Sequence, residues 1–125
     1  MSAMTNGIAW FQIGVPDAAA AKRFYGDLFG WTFTKDDDPN LQYHIVQTPA
    51  AGSIQGGIWE TGGETSNHAM FCIMVDDVAE TVRRAEAAGG KVVVPPATTA
   101  NGLVFADVVD PDGNRFGVFT PPAKG

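Results

Sequence analysis

The sequence predicts an α+β fold made of two βαβββ modules in tandem, and three observations support this. IAWFQIGVPD at 8–17 and HAMFCIMVDD at 68–77 share one design, and the offset of 68 − 8 = 60 residues persists: Gly30 falls on Gly90, and QGGIW at 55–59 falls on RFGVF at 115–119. Each of the two stretches alternates with the two-residue period of a strand, then gives way after an Asp to helical spacing. Three shorter strand-like runs follow each helix, separated by turn residues. The modules cover about residues 7–60 and 67–122 of a single domain, 1–125.

In the first module Asp17 is placed to cap a helix whose apolar stripe is Ala20, Ala21, Phe24 and Leu28, with Gly30 as its stop. Strands are expected over Trp31–Thr34, Tyr43–Thr48 and Ile54–Glu60. In the second, Asp77 caps, Val78, Val82 and Ala85 form the stripe, and Gly89-Gly90 ends it. Lys91–Val94, Leu103–Val109 and Arg115–Thr120 are the remaining strands, the last two joined as a hairpin by D-P-D-G-N at 110–114. KDDDPN at 35–40, ETGGETSN at 60–67 and PPATTANG at 95–102 read as loops. The triplet Asp36-Asp37-Asp38 lacks the alternating spacing and following Glu of a calcium loop and reads as a solvated turn.

Composition narrows the function. With 45% hydrophobic and 18% charged residues the chain is globular. Eight basic against fourteen acidic residues give a net charge of -6, with no Lys/Arg cluster to hold phosphates, so nucleic acid is not an expected partner. The single Cys72 excludes an internal disulfide and paired CxxC zinc motifs. No apolar run approaches membrane-spanning length, and MSAMTNG lacks the basic start and apolar stretch of a signal peptide, so a cytoplasmic location without membrane contact is expected.

The stretch HAMFCIMV places His68, Met70, Cys72 and Met74 on one face and Ala69, Phe71, Ile73 and Val75 on the other. The second set is wholly apolar and suits a core, whereas the first is mixed, as a cavity wall is. His68 and Cys72 stand roughly 13 Å apart on an extended strand, too far to share one ion. Cys72 reads as a small buried hydrophobe.

VPDAAAAKRFYGDLFGW in the first half, and VDDVAETVRRAEAAGGKV followed by DPDGNRFGVF in the second, resemble the vicinal oxygen chelate superfamily of glyoxalases, extradiol dioxygenases and bleomycin-resistance proteins. The resemblance covers nearly the whole chain. It implies curved, mostly antiparallel sheets forming a cup, helices on the convex side, a ligand cavity within, and pairing as a homodimer. In metal-using members four inward positions supply the ligands, and by motif these are Trp10, Gly57, Met70 and Gly117 here. Indole, thioether and bare backbone are not a divalent-metal set, so no metal and no cofactor is expected.

Carrying the alternation through both modules, the expected ligand-binding residues are Trp10, Gln12, Gln55, Trp59, His68, Met70, Cys72, Arg115 and Phe119. Flat apolar groups with a few orienting polar ones are the composition of a small-molecule pocket. Gly57 and Gly117 are expected to leave room at the backbone, and the loops 60–67 and 95–102 to stand at the pocket mouth. No carboxylate is expected on this wall. The function that follows is metal-free binding of an aromatic or amphipathic, cationic or neutral, metabolite or antibiotic. The alternative is a glyoxalase-like lyase or dioxygenase-related enzyme using His68 and Arg115, or an atypical metal site.

Overall fold

A computed structural model describes residues 4–122 and contains ten elements in the order βαβββ–βαβββ. They are β1 (Ile8–Val15), α1 (Ala18–Phe29), β2 (Thr32–Lys35), β3 (Tyr43–Gln47), β4 (Gly56–Glu60), β5 (His68–Met74), α2 (Val78–Ala87), β6 (Lys91–Thr98), β7 (Val104–Val109) and β8 (Arg115–Thr120). The fold is α+β. Two compact units divide the described residues, one over 10–69 and the other over 4–9 with 70–122.

In the unit over 10–69 the strand order is β2-β3-β4-β1. Its β2/β3 and β3/β4 pairs are antiparallel and β1/β4 is parallel. Alternation decides which side is buried: Phe11, Ile13 and Val15 turn toward α1 and pack with Ala18, Val46 and Ile58. The helix begins where Asp17, in extended conformation, accepts a hydrogen bond from the Ala19 N–H at 3.0 Å, while Glu60 from the end of β4 accepts from the Ala18 N–H at 3.0 Å. Two of the unpaired donors of the first turn are thereby satisfied. Gly30 ends α1 at φ 70°, donating to the Gly26 carbonyl.

The inward stripe of α1 differs from the expected one. Ala18, Ala21 and Tyr25 face the sheet, whereas Phe24 and Leu28 are 59% and 57% exposed. Tyr25 decides this, because its ring stacks on Trp31 at 5.1 Å and 9°, and Trp31 in turn packs against Phe11. That contact rotates the bulkier apolar residues outward.

In the other unit the order is β5-β8-β7-β6, with β5/β8 parallel and the two remaining pairs antiparallel. Asp77 caps α2 by accepting from the Glu80 N–H at 3.0 Å, and Val78 and Val82 pack with Val75, Ala106, Val108 and Val118. The turn at 110–114 forms as expected: the Asp110 carboxylate accepts from the Asn114 and Asp112 N–H groups at 2.9 Å each and from the Asn114 side-chain amide at 3.0 Å, and the bonds from Asn114, backbone first and side chain second, do most to hold its carboxyl below the usual range. Two expectations are corrected here. β6 continues through Pro95 and Pro96 to Thr98, with register shifts at Val92/Val94 and Val94/Ala97; it is the outer strand of its order, where a missing N–H breaks no ladder bond. Phe71, assigned to the core by alternation, is 45% exposed and stacks on Phe116.

Candidate functional site

In the unit over 10–69, the face of the sheet turned away from α1 carries Trp10, Gln12 and Gly14 of β1, Gly57 and Trp59 of β4, and Tyr43 and Ile45 of β3. The register places Gln12 opposite Gly57, Gly14 opposite Trp59, and Tyr43 opposite Trp59. The Trp10 indole Nε1–H donates to the Tyr43 Oη at 2.9 Å. Tyr43 also leans diagonally across its neighbour, since a Cβ built on Gly57 would lie 2.0 Å from the Tyr43 Cε1. The room expected at Gly57 is therefore filled by this chain's own phenol. Sequence reading missed Tyr43 as a member of this face. The signal was present in the alternation of Tyr43, Ile45 and Gln47 against His44 and Val46, but the register that sets a tyrosine beside a glycine is not local.

His68 lies against the same face, close enough to Gly14 that a Cβ there would meet its ring at 2.1 Å. Its Nδ1 is 3.0 Å from the Ser66 carbonyl, which can only accept, so Nδ1 carries the proton. Nε2 is then the acceptor for the Gln12 amide N–H at 3.1 Å. Both ring nitrogens are engaged within the chain, and the ring centroid lies 6.0 Å from that of Trp59. This arrangement orients an imidazole. A general base would have to give up its bond to Gln12 first. Gln55 precedes β4, and its Oε1 accepts from the Thr48 N–H at 2.9 Å.

In the other unit, the face turned away from α2 carries Met70, Cys72, Asp107, Arg115, Gly117 and Phe119. Cys72 pairs with Gly117, Asp107 with Gly117, and Phe105 with Phe119. A Cβ on Gly117 would meet the Cys72 Sγ at 2.9 Å and the Met70 Cε at 3.2 Å, so this glycine too is covered by its neighbours. The expectation that the wall lacks a carboxylate is wrong: Asp107 is 4% exposed and accepts from the Arg115 Nη2 at 2.8 Å and Nε at 3.3 Å. Extending the 110–114 hairpin backward would have set Asp107 opposite Gly117 and revealed it. Burial, followed by the Asp107 charge, pushes the Cys72 thiol up to about 12. That is the opposite of what a reactive thiolate needs.

The donor chemistry does not fit a divalent cation at the positions that the resemblance marks. In one unit Trp10 offers an N–H already given to Tyr43, and Gly57 offers nothing. In the other, Met70 offers a thioether and Gly117 lies beneath sulfur atoms. Among the described residues no three His, Cys, Asp or Glu side chains come together as a metal-binding group. No helix among them is long and apolar enough to cross a membrane.

Two modules of this topology, with a mixed polar and aromatic face opposite each helix, make a fold whose relatives are identifiable. The chain belongs to the Glyoxalase/Bleomycin resistance protein/Dioxygenase superfamily, whose family model matches residues 7–118. It is 31% identical to the anthracycline biosynthesis protein DnrV of Streptomyces peucetius, over 89% of this chain and 46% of that protein. It is 28% identical to the putative glyoxylase CFP32 of Mycobacterium tuberculosis, over 88% and 44%. The chain thus spans about half the length of these curated relatives. Among solved structures, the methylmalonyl-CoA epimerase of Mycobacterium tuberculosis shares the fold with a TM-score of 0.59 at 19% identity, over 99% of this chain and 94% of that one.

Proposed function

We propose that this chain is a metal-independent small-molecule-binding member of the superfamily. Its ligand is a flat, partly aromatic or amphipathic metabolite or antibiotic, held on the face of Trp10, Gln12, Tyr43, Trp59 and His68. The observation that carries the reading is the Trp10–Tyr43 pair over Gly57. At a place where metal-using relatives present ligating groups, this chain presents two hydrogen-bonded aromatic rings. Such rings provide a planar apolar contact at low entropic cost, with Gln12 and His68 as orienting polar groups beside it. The relative in anthracycline biosynthesis supports a planar polycyclic ligand, and the net charge of -6 favours a cationic one by long-range attraction and, at the rings, by cation–π contact.

Binding acts by occupancy, and sequestration of an antibiotic is one role it would serve. On this reading the chain works as one domain, in the cytoplasm, as a homodimer of the twofold kind commonest among oligomers; sedimentation velocity at micromolar concentration tests the last point. The ligand reading is tested by titrating daunorubicin against tryptophan fluorescence in about 0.15 M salt, where non-specific charge attraction is screened beyond ~8 Å. Saturable quenching that disappears in Trp10→Ala and Trp59→Ala is expected. Binding that survives both substitutions unchanged, or stoichiometric zinc, nickel, iron or manganese in protein purified without added metal, would sink it.

A further inference from the structure

We propose that a hollow at the carboxyl end of α1 binds a small neutral molecule rich in hydroxyl groups, of monosaccharide size. The hollow measures about 420 Å³ and is lined by Gly30, Thr32, Gln47, Thr48, Pro49 and Gln55. That volume lies within the range of small-molecule sites, about 300–1,000 Å³. Its lining is the basis for the ligand class: two carboxamides, two hydroxyls, a proline ring and a glycine backbone, with no ionisable side chain. A charged ligand finds no counter-charge there, and a purely apolar one would strip water from the amides without replacing their bonds. A polyol, each hydroxyl both donor and acceptor, matches amides and hydroxyls alike.

Two further observations point to an occupant. The Thr48 Oγ1 is buried and has no hydrogen-bond partner, a departure from the rule that buried polar atoms are paired. Gln55 spends its Oε1 on the Thr48 N–H, leaving its amide N–H groups directed to no partner among the described residues. Thr48 and Gln55 both line the hollow, so the two groups stand at its wall as a donor–acceptor set. At the rim, the last turn of α1 has no basic residue to offset its carbonyl end, which favours O–H donors. This site is independent of the reading of Trp10 and Trp59, and its test uses no tryptophan signal.

The experiment is a titration of the 15N-labelled chain with D-glucose and with L-rhamnose, followed by amide correlation spectra, with gluconate and glucosamine as the anionic and cationic counterparts. The neutral sugars are expected to shift the Thr48 backbone amide and the Gln55 side-chain amide saturably in about the millimolar range. Gluconate and glucosamine are expected to bind about tenfold more weakly, and Gln55→Leu to weaken the sugars by about tenfold. Thr48→Val, close in shape, should act likewise; the spectra themselves report whether each variant is folded, and Gln55→Leu suffices if Thr48→Val is not. The absence of a saturable shift with either sugar, equal shifts with gluconate, or unimpaired binding in folded Gln55→Leu each overturns the proposal.

Discussion

Tyr43 occupies the space that a side chain at Gly57 would need, with its Cε1 2.0 Å from where a Cβ would stand. The two residues lie on neighbouring strands one pleat apart, and the phenol is held there by the Trp10 indole. Gly57→Ala must therefore displace an aromatic ring from its partner. A loss of about 1–3 kcal/mol is expected, the usual cost of overpacking, with Trp10 fluorescence shifting as its hydrogen bond is broken. Tyr43→Ala in the same chain should relieve most of the Gly57→Ala penalty, and additive effects in denaturant unfolding would show that the two residues do not touch.

Removing only the Tyr43 hydroxyl separates the bond from the packing. Tyr43→Phe keeps the ring over Gly57 and leaves the Trp10 Nε1–H without its acceptor. Stability should fall by about 0.5–1.5 kcal/mol, and the Trp10 indole proton should move upfield and exchange faster in the NMR spectrum. An unchanged indole resonance would mean that Trp10 donates elsewhere.

What could be read from the sequence was what is encoded locally. The caps at Asp17 and Asp77, the stop at Gly30 and the turn at 110–114 each depend on a few adjacent residues, and each stands where the sequence places it. Periodicity was less decisive in α1, where the stripe through Ala20, Ala21, Phe24 and Leu28 overlaps the one through Ala18, Ala21 and Tyr25; stacking of Tyr25 on Trp31, which lies beyond the end of the helix, chose between them. Pro95-Pro96 read as a loop because local propensity does not say which strand is outermost. Of the candidate site, alternation put Trp10 and Gln12, and Met70 and Cys72, on the sides opposite the helix-facing residues, which is the side each occupies. Tyr43 and Asp107 escaped because their roles depend on cross-strand register, and Gly57 and Gly117 were read as open space because nothing in the one-dimensional pattern reveals what covers them.

Arg115 and Asp107 form an ion pair whose side chains are 11% and 6% exposed. Removing one partner takes the buried counter-charge from the other, and breaking a buried pair in this way typically costs about 3–5 kcal/mol. Asp107→Leu and Arg115→Met should each destabilise the chain to about that extent, while the double variant Asp107→Leu/Arg115→Met recovers most of the loss, because a well-packed apolar pair needs no desolvation of charge. Thermal unfolding of the four chains measures the coupling. If the double variant is as unstable as the sum of the singles, the pair acts through something other than its mutual charge.

The same carboxylate acts on Cys72. Burial first and the Asp107 charge second raise the thiol from 9.0 to about 12, and the Gly117 backbone bond only partly opposes them. Below pH 9 the folded and unfolded chains both hold the proton, and the group adds nothing to the pH dependence. Between 9 and 12 the unfolded chain releases it and the folded chain does not, so stability falls as pH rises through that window. The wild type should lose up to about 1.4 kcal/mol per pH unit more than Cys72→Ala there. Asp107→Asn, where folded, should bring thiol ionisation to lower pH by removing the second cause. Iodoacetamide at mildly alkaline pH checks the first: it should label Cys72 at the rate of global opening rather than at the rate of a free thiol. Labelling of the folded chain as fast as of the denatured one would mean that the sulfur is accessible and ionised, contrary to its burial against Gly117.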